Sequence, residues 1–299
     1  MIKVCGLTKK FDTFVALDNL DMHVEKGSVY GLVGPNGAGK TTIIKHITGV
    51  LQQNAGDVFV GDSKVYENVA VKQKMVYIPD DVFFFPSYTI KDMKKFYRQV
   101  YDTWNEERFE RLKEVFGIDV SRRVQRLSKG MQKQVAFWLG ICTMPDVMIL
   151  DEPVDGLDPV MRRKVWSLIL QDVAERGTTV LISSHNLREL EDVCDHVGIM
   201  HQGRVVLEKR LDDIKSDVHK LQVAFGGGLP DALVKELAPM HVSEYGSVHL
   251  MIVKGYYDAV MDTVNKYNPV LVDLLPLTLE EIFIYELGGL GYEIKDVIL

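Results

Sequence analysis

Apolar and alternating runs open the chain at Ile2 and Val4, Phe14 to Leu17, and Leu20 to Val24, with Glu25-Lys26-Gly27 as a turn. They predict a β-rich start. Val29 to Val33 is continuously apolar and reads as a buried strand, and Ile43, Ile44, Ile47 and Val50 follow at helical spacing. Asp57 to Val60 and Lys64 to Tyr66 predict short strands around Gly61-Asp62, and Met75 to Ile78 a strand ended by Pro79. From Tyr88 the period changes. Ile90, Met93, Phe96, Tyr97, Val100 and Tyr101, then Phe109, Leu112, Val115 and Phe116, recur at helical spacing with charges on the other faces. They predict a helical subdomain inserted over roughly residues 86–144.

Strand character returns at Val147 to Leu150 and Thr179 to Ile182, with a helical pattern from Val160 to Arg176 between them. Strand and helix in alternation predict an α/β fold with a mostly parallel sheet covered on both faces. The charged segment Asp212 to Val218 marks a boundary, giving expected domains 1–215 and 216–299. Beyond it the pattern reads strand, helix, strand, strand, helix, strand, a βαββαβ order that predicts a small ferredoxin-like α+β domain, followed by a helix from Thr278 to Leu287.

Between the strand at Val29–Val33 and the helix that follows lie Gly34-Pro35-Asn36-Gly37-Ala38-Gly39-Lys40-Thr41-Thr42. This is the G-x-x-x-x-G-K-T phosphate loop in the strand–turn–helix setting it requires. Backbone N–H groups at the helix start form an anion cradle, and the glycines let the chain approach phosphate oxygens closely. Lys40 is expected to reach the β- and γ-phosphates of ATP, and the Thr41 hydroxyl to ligate Mg²⁺.

Val147 to Leu150 ends in Asp151-Glu152-Pro153. Behind a phosphate loop, Asp151 suits a Mg²⁺ ligand and Glu152 a general base for the attacking water. Leu127-Ser128-Lys129-Gly130-Met131-Gln132 precedes an apolar helix, which places Ser128 and the N–H groups near Gly130 at a helix start. Taken alone, that stretch is an N-cap and turn.

Composition narrows the partners. The 299 residues carry a formal charge of −7 with 46% hydrophobic residues, which argues against a broad nucleic-acid surface. Three scattered cysteines, Cys5, Cys142 and Cys194, have no metal-type spacing and fit reduced thiols in a cytosolic protein. The N-terminus enters a strand pattern directly, so no signal peptide is expected, and the apolar run Val135 to Ile141 is too short to span a bilayer.

The phosphate loop, Leu127–Gln132, Asp151-Glu152, Gly156-Leu157-Asp158 and Ser183-Ser184-His185 occur in an order that resembles the ATP-binding subunits of ABC transporters. The resemblance covers residues 1 to about 210. It is strongest toward bacterial drug, bacteriocin, lipid or sodium exporters, which often carry Ser-Lys-Gly-Met in place of Ser-Gly-Gly-Gln. It implies the P-loop ABC ATPase fold, with an N-terminal antiparallel β part and a helical insertion. It also implies ATP hydrolysis by a dimer that drives transport, with export favoured, at the inner face of the cell membrane. Phe11 stands where the family stacks an aromatic on adenine, ahead of Val15. Ser128 and Gly130 match the signature that meets the γ-phosphate held by the opposite subunit. Asp158 matches the loop crossing the dimer interface, and His185 the switch histidine that orients water and Glu152. Membrane subunits are expected to dock near Phe83–Tyr88.

Two positions depart from the family pattern. Asp80 stands where a glutamine is usual, and a carboxylate oxygen there suits Mg²⁺. Lys129 adds a charge inside the signature. The competing reading is a nucleic-acid- or ribosome-linked ATPase of the same superfamily, or a regulatory module. A single acidic cassette without a long coiled coil disfavours the nucleic-acid alternative.

Overall fold

The computed structural model describes residues 1–289. They divide into two compact units: Met1–Asn186 with Val193–Glu208, and Leu187–Asp192 with Lys209 onward.

The first unit opens with strands β1 (Ile2–Phe11) and β2 (Phe14–Val24), which pair antiparallel, and β3 (Val29–Val33). Then come helix α1 (Lys40–Ile47), strands β4 (Ala55–Val60) and β5 (Ser63–Lys64), and the short helix α2 (Val69–Lys72). Strand β6 (Met75–Ile78) leads to helices α3 (Ile90–Val100), α4 (Glu106–Phe116) and α5 (Lys129–Cys142). Strand β7 (Val147–Asp151), helix α6 (Pro159–Arg176), and strands β8 (Thr179–Ser184), β9 (His196–His201) and β10 (Arg204–Arg210) follow.

Two sheets result. One has the order β2-β1-β4-β5, the other β10-β9-β3-β8-β7-β6. Strands β9, β3, β8, β7 and β6 run parallel. Strands β3, β7 and β8 are buried at every position, which is why apolar residues dominate them, with the polar residues of β7 and β8 at their ends. One core gathers Leu7, Leu17 and Leu20 with Ile43, Ile44, Ile47, Leu32, Ile149 and Leu181. The phosphate-loop helix is thereby packed between strands of both sheets.

The P-loop ATPase architecture with its antiparallel N-terminal part is the one found. One difference lies in the first strands. The expected segments Phe14–Leu17 and Leu20–Val24 form a single strand, with register shifts against β1 and Asn19 at φ +45°. The irregularity interrupts the alternation without ending the strand.

In the helical insertion each helix has a legible start. Thr89 and Asp92 close a capping box on α3, and the Asn105 side chain accepts from Arg108 N–H at the start of α4. Gly117 ends α4 in the left-handed region. Trp138 of α5 is fully buried and stacks on Phe109 at 4.4 Å between ring centroids.

The second unit contains α7 (Leu187–Glu191), α8 (Leu211–Asp217), β11 (Val218–Ala224), α9 (Asp231–Leu237), β12 (His241–Tyr245), β13 (Val248–Lys254), α10 (Tyr257–Asn265), β14 (Leu271–Leu275) and α11 (Leu279–Gly289). Its sheet is antiparallel with the order β12-β13-β11-β14. Leu221, Val223, Met251 and Val253 pack against Leu233, Val260 and Val264 of α9 and α10. The end of the expected second domain, residues 290–299, lies outside the described residues.

Candidate functional site

Parallel register delivers the candidate residues to one sheet edge. Val33 pairs with Ser184, Asp151 with Ser183, and Ile78 with Leu150. The loops after β3, β7, β8 and β6 therefore leave the same edge, carrying Gly34–Gly39, Glu152, His185 and Asp80. Ligands of open α/β sheets bind at this carboxyl edge.

A cleft of about 380 Å³ opens there, lined by Phe14, Ala16, the phosphate-loop residues Pro35 to Gly37 and Gly39 to Thr42, and Asp80, Asp151 and Glu152. Gly39 precedes α1 at φ +107°, and a Cβ on it would come within 2.9 Å of Ala16 O. A side chain is excluded there on two grounds. Lys40 Nζ donates to Gly34 O at 2.5 Å and Pro35 O at 3.3 Å, so the ammonium lies folded over the loop. Burial lowers its pKa, opposed by the charges of Glu152 and Asp151.

Thr41 Oγ1 donates to Asp151 Oδ2 at 3.1 Å, and Ser183 Oγ donates to Asp151 Oδ1. Asp151 is buried at 4% exposure. A hydroxyl and a buried carboxylate in contact form an all-oxygen donor set, the chemistry Mg²⁺ takes, so the residues present fit that ion.

Glu152 adopts φ +45°, a left-handed conformation that costs a non-glycine residue roughly 1–2 kcal/mol. Three contacts hold it. Its N–H donates to Ser183 O at 3.0 Å, its carbonyl accepts from Lys133 Nζ at 2.7 Å, and its Oε1 lies 3.0 Å from His185 Nδ1. The Glu152 carboxylate raises the His185 pKa through hydrogen bond and charge, against a smaller effect of burial.

Other expected residues lie elsewhere. The cleft is lined by Phe14 and Ala16, whereas Phe11 and Val15 are not among its lining residues. Phe11 faces Phe14 across the hairpin, is 45% exposed, and has Lys9 Nζ 5.1 Å from its ring centre. Residues 127–132 are likewise outside this lining. Ser128 caps α5, accepting from Met131 N–H at 3.3 Å. Gly130 packs so closely that a Cβ would sit 2.4 Å from Gly156 O. Asp158 caps α6, accepting from Val160 N–H and Met161 N–H at 3.0 Å each.

A second cleft of about 370 Å³ is lined by Asp80, Asp81, Val82, Lys129, Gln132, Lys133, Asp155 and Gly156. Asp80 borders both clefts, and its Oδ1 accepts from Lys133 Nζ at 3.2 Å.

In the aromatic run, Phe83 is 75% exposed, Phe84 only 4% and Phe85 38%. Phe84 therefore belongs to the core, while Phe85 joins Tyr88 at 4.9 Å and Phe96 at 5.4 Å in a surface cluster. Among the described residues no helix is long and apolar enough to cross a membrane.

Sequence reasoning missed Lys133 and Ser183. Lys133 is a charge four residues after Lys129, just before the helix turns apolar at Val135, and that is the available signal. Ser183 stands in the Ser-Ser-His stretch, where nothing local signals its contact with Asp151.

Residues 17–155 match the ABC transporter family. The ABC transporter ATP-binding protein YtrB of Bacillus subtilis is 29% identical over 289 residues, 97% of this chain and 99% of that protein. YcbN, an uncharacterized ABC transporter ATP-binding protein of the same organism, is 31% identical over 221 residues, 72% of this chain and 71% of its own length. A solved structure of the ATP binding subunit of an ABC transporter aligns with a TM-score of 0.68 at 28% identity, covering 72% of this chain and 92% of that one. A phosphate loop, paired acids and a histidine at one sheet edge, joined to these likenesses, place the chain among the ABC transporter ATP-binding proteins, a family of nucleotide-binding ATPases.

Proposed function

We propose that two such subunits close around ATP and drive transport, in the export direction, through separate multi-helix membrane subunits. The supporting observation is that the lining of the nucleotide cleft includes none of residues 127–132. A chain whose signature does not reach its own phosphate loop needs that signature from a partner.

Each residue then has a task. Pro35 to Thr42, with Gly34, cradle the phosphates, and Lys40 leaves its loop carbonyls for the β- and γ-oxygens. The adenine lies against the wall that includes Phe14 and Ala16, with Phe11 and Val15 of the same hairpin beside it. Thr41 and Asp151 hold Mg²⁺, with Asp80 as a further oxygen donor. Bound there, the ion would supply positive charge to offset the negative charge that develops on the phosphate oxygens. Glu152 accepts a proton from the attacking water as its oxygen bonds to the γ-phosphorus and the bond to ADP breaks. His185 fixes Glu152 and the water in line. Ser128 and Gly130 of the second subunit contact the same γ-phosphate, and Asp158 lies along the interface. ATP favours the closed dimer because only ATP touches both halves, and hydrolysis releases it.

Residues 1–215 form the ATPase domain in this reading and 216–299 an accessory domain. The exposed aromatic cluster around Phe83–Tyr88 receives the membrane subunits, which hold the protein peripherally at the inner face of the cell membrane.

The test is Glu152→Gln. The variant is expected to bind ATP, to run as a dimer in light scattering at saturating ATP, and to turn over about 10²–10⁴-fold more slowly. A monomer under those conditions rejects the composite site.

A further inference from the structure

We propose that Lys133 is a positioning residue that competes with nucleotide-bound Mg²⁺ for Asp80. The inference rests on the ATPase reading above. Lys133 Nζ donates to Asp80 Oδ1 at 3.2 Å, Glu152 O at 2.7 Å and Asp155 O at 3.2 Å. These acceptors match the three donors of an ammonium and come from two separate loops, those that follow β6 and β7. Asp80 supplies the only carboxylate among them.

The two sides of the pair differ. The Lys133 side chain is 5% exposed and the Asp80 side chain 60%. Asp80 can therefore exchange partners through water, whereas Lys133 is fixed on α5 within the fold. Asp80 also borders the cleft that contains Thr41, Asp151 and Glu152. One carboxylate thus touches a permanent cation and borders the cleft where a second would arrive with ATP.

When Asp80 turns to the metal, Lys133 keeps only the two carbonyls. One of them belongs to Glu152, whose left-handed backbone Lys133 helps to hold. Metal engagement and the placement of Glu152 are thereby coupled through one buried ammonium. A merely structural ion pair would have no such link to Mg²⁺.

The experiment is calorimetric ATP binding to the full chain across a Mg²⁺ series, and in EDTA. Lys133→Met is expected to lower the Mg²⁺ concentration for half-maximal strengthening of ATP binding by about tenfold, because Asp80 is released to the metal. Each Mg²⁺ midpoint is read against the same variant's ATP affinity in EDTA, so that a general loss of binding through a displaced Glu152 is not counted as competition. Lys133→Gln gives the same shift with a polar side chain, in case the apolar replacement does not fold. On an Asp80→Asn background, Lys133→Met should produce no further shift in the Mg²⁺ midpoint. An unchanged midpoint in both Lys133 variants overturns the competition, as does a shift that persists without Asp80. Failure of the parent protein to bind ATP at all would instead overturn the ATPase reading, and this inference with it.

Discussion

His185 Nδ1 lies 3.0 Å from Glu152 Oε1, joining the residue after β8 to the residue after β7. The carboxylate raises the imidazole pKa, by hydrogen bond first and charge second. A raised folded value means the pair stabilises the fold fully below the ordinary imidazole value of about 6.5 and loses that contribution as pH rises through the raised value. NMR titration of the His185 ring, assigned with a His185→Gln control, should give a midpoint above that of the unfolded chain. Glu152→Gln should bring the midpoint down. Equal midpoints in parent and variant would leave the contact without electrostatic weight.

Lys40 is buried and bonded to Gly34 O and Pro35 O. Those carbonyls hold the ammonium where arriving phosphate oxygens can take it over, so its loss removes a charged donor from the bound state. Lys40→Met is expected to weaken ATP binding by about 2–4 kcal/mol, roughly 30- to 1000-fold. Calorimetry with ATP and Mg²⁺ checks this. An affinity within about threefold of the parent would mean that Lys40 supports only the empty loop.

Much of this site was legible because its parts are local. Gly34–Thr42 needs only a strand before it and a helix after it, and Asp151-Glu152 only an apolar strand. What was not legible depends on register and on long-range packing. Phe14 and Ala16 share one face of β2 and line the cleft while Val15 between them does not, and the β1–β2 pairing that carries this face has register shifts. Local spacing carries no record of such shifts. Lys133 reaches Asp80 across 53 residues of sequence, a pairing made by the folded loops alone. Phe83, Phe84 and Phe85 are identical in chemistry, and only the backbone path separates core from surface among them.

Gly130 is held by Gly156. An alanine in a helix normally gains about 1 kcal/mol over glycine. Here its Cβ would meet Gly156 O at 2.4 Å, backbone against backbone, and neither side is a flexible side chain. Overpacking of this kind costs about 1–3 kcal/mol, so the clash outweighs the propensity. Gly130→Ala should therefore lower the melting temperature by a few degrees, at about 2–4 °C per kcal/mol in domains of 150–250 residues. Calorimetric melting of the nucleotide-free chain reads the sign directly. A higher melting temperature would show that the 156 loop gives way easily.

Phe83 and Phe84 separate docking from folding. Phe84 is 4% exposed, so Phe84→Ala should destabilise the fold by about 3–5 kcal/mol through lost burial and the cavity left behind. Its effect on partner binding would be uninterpretable for that reason. Phe83 is 75% exposed and edge-on to Phe85 at 6.2 Å between centroids. Phe83→Ser should change stability by no more than about 0.5 kcal/mol. If the aromatic cluster receives a membrane subunit, Phe83→Ser should still reduce recovery of that subunit in a pull-down from detergent-solubilised membranes. Full recovery with Phe83→Ser, and again with Phe83→Ser combined with Phe85→Ser, would move the docking surface away from this cluster.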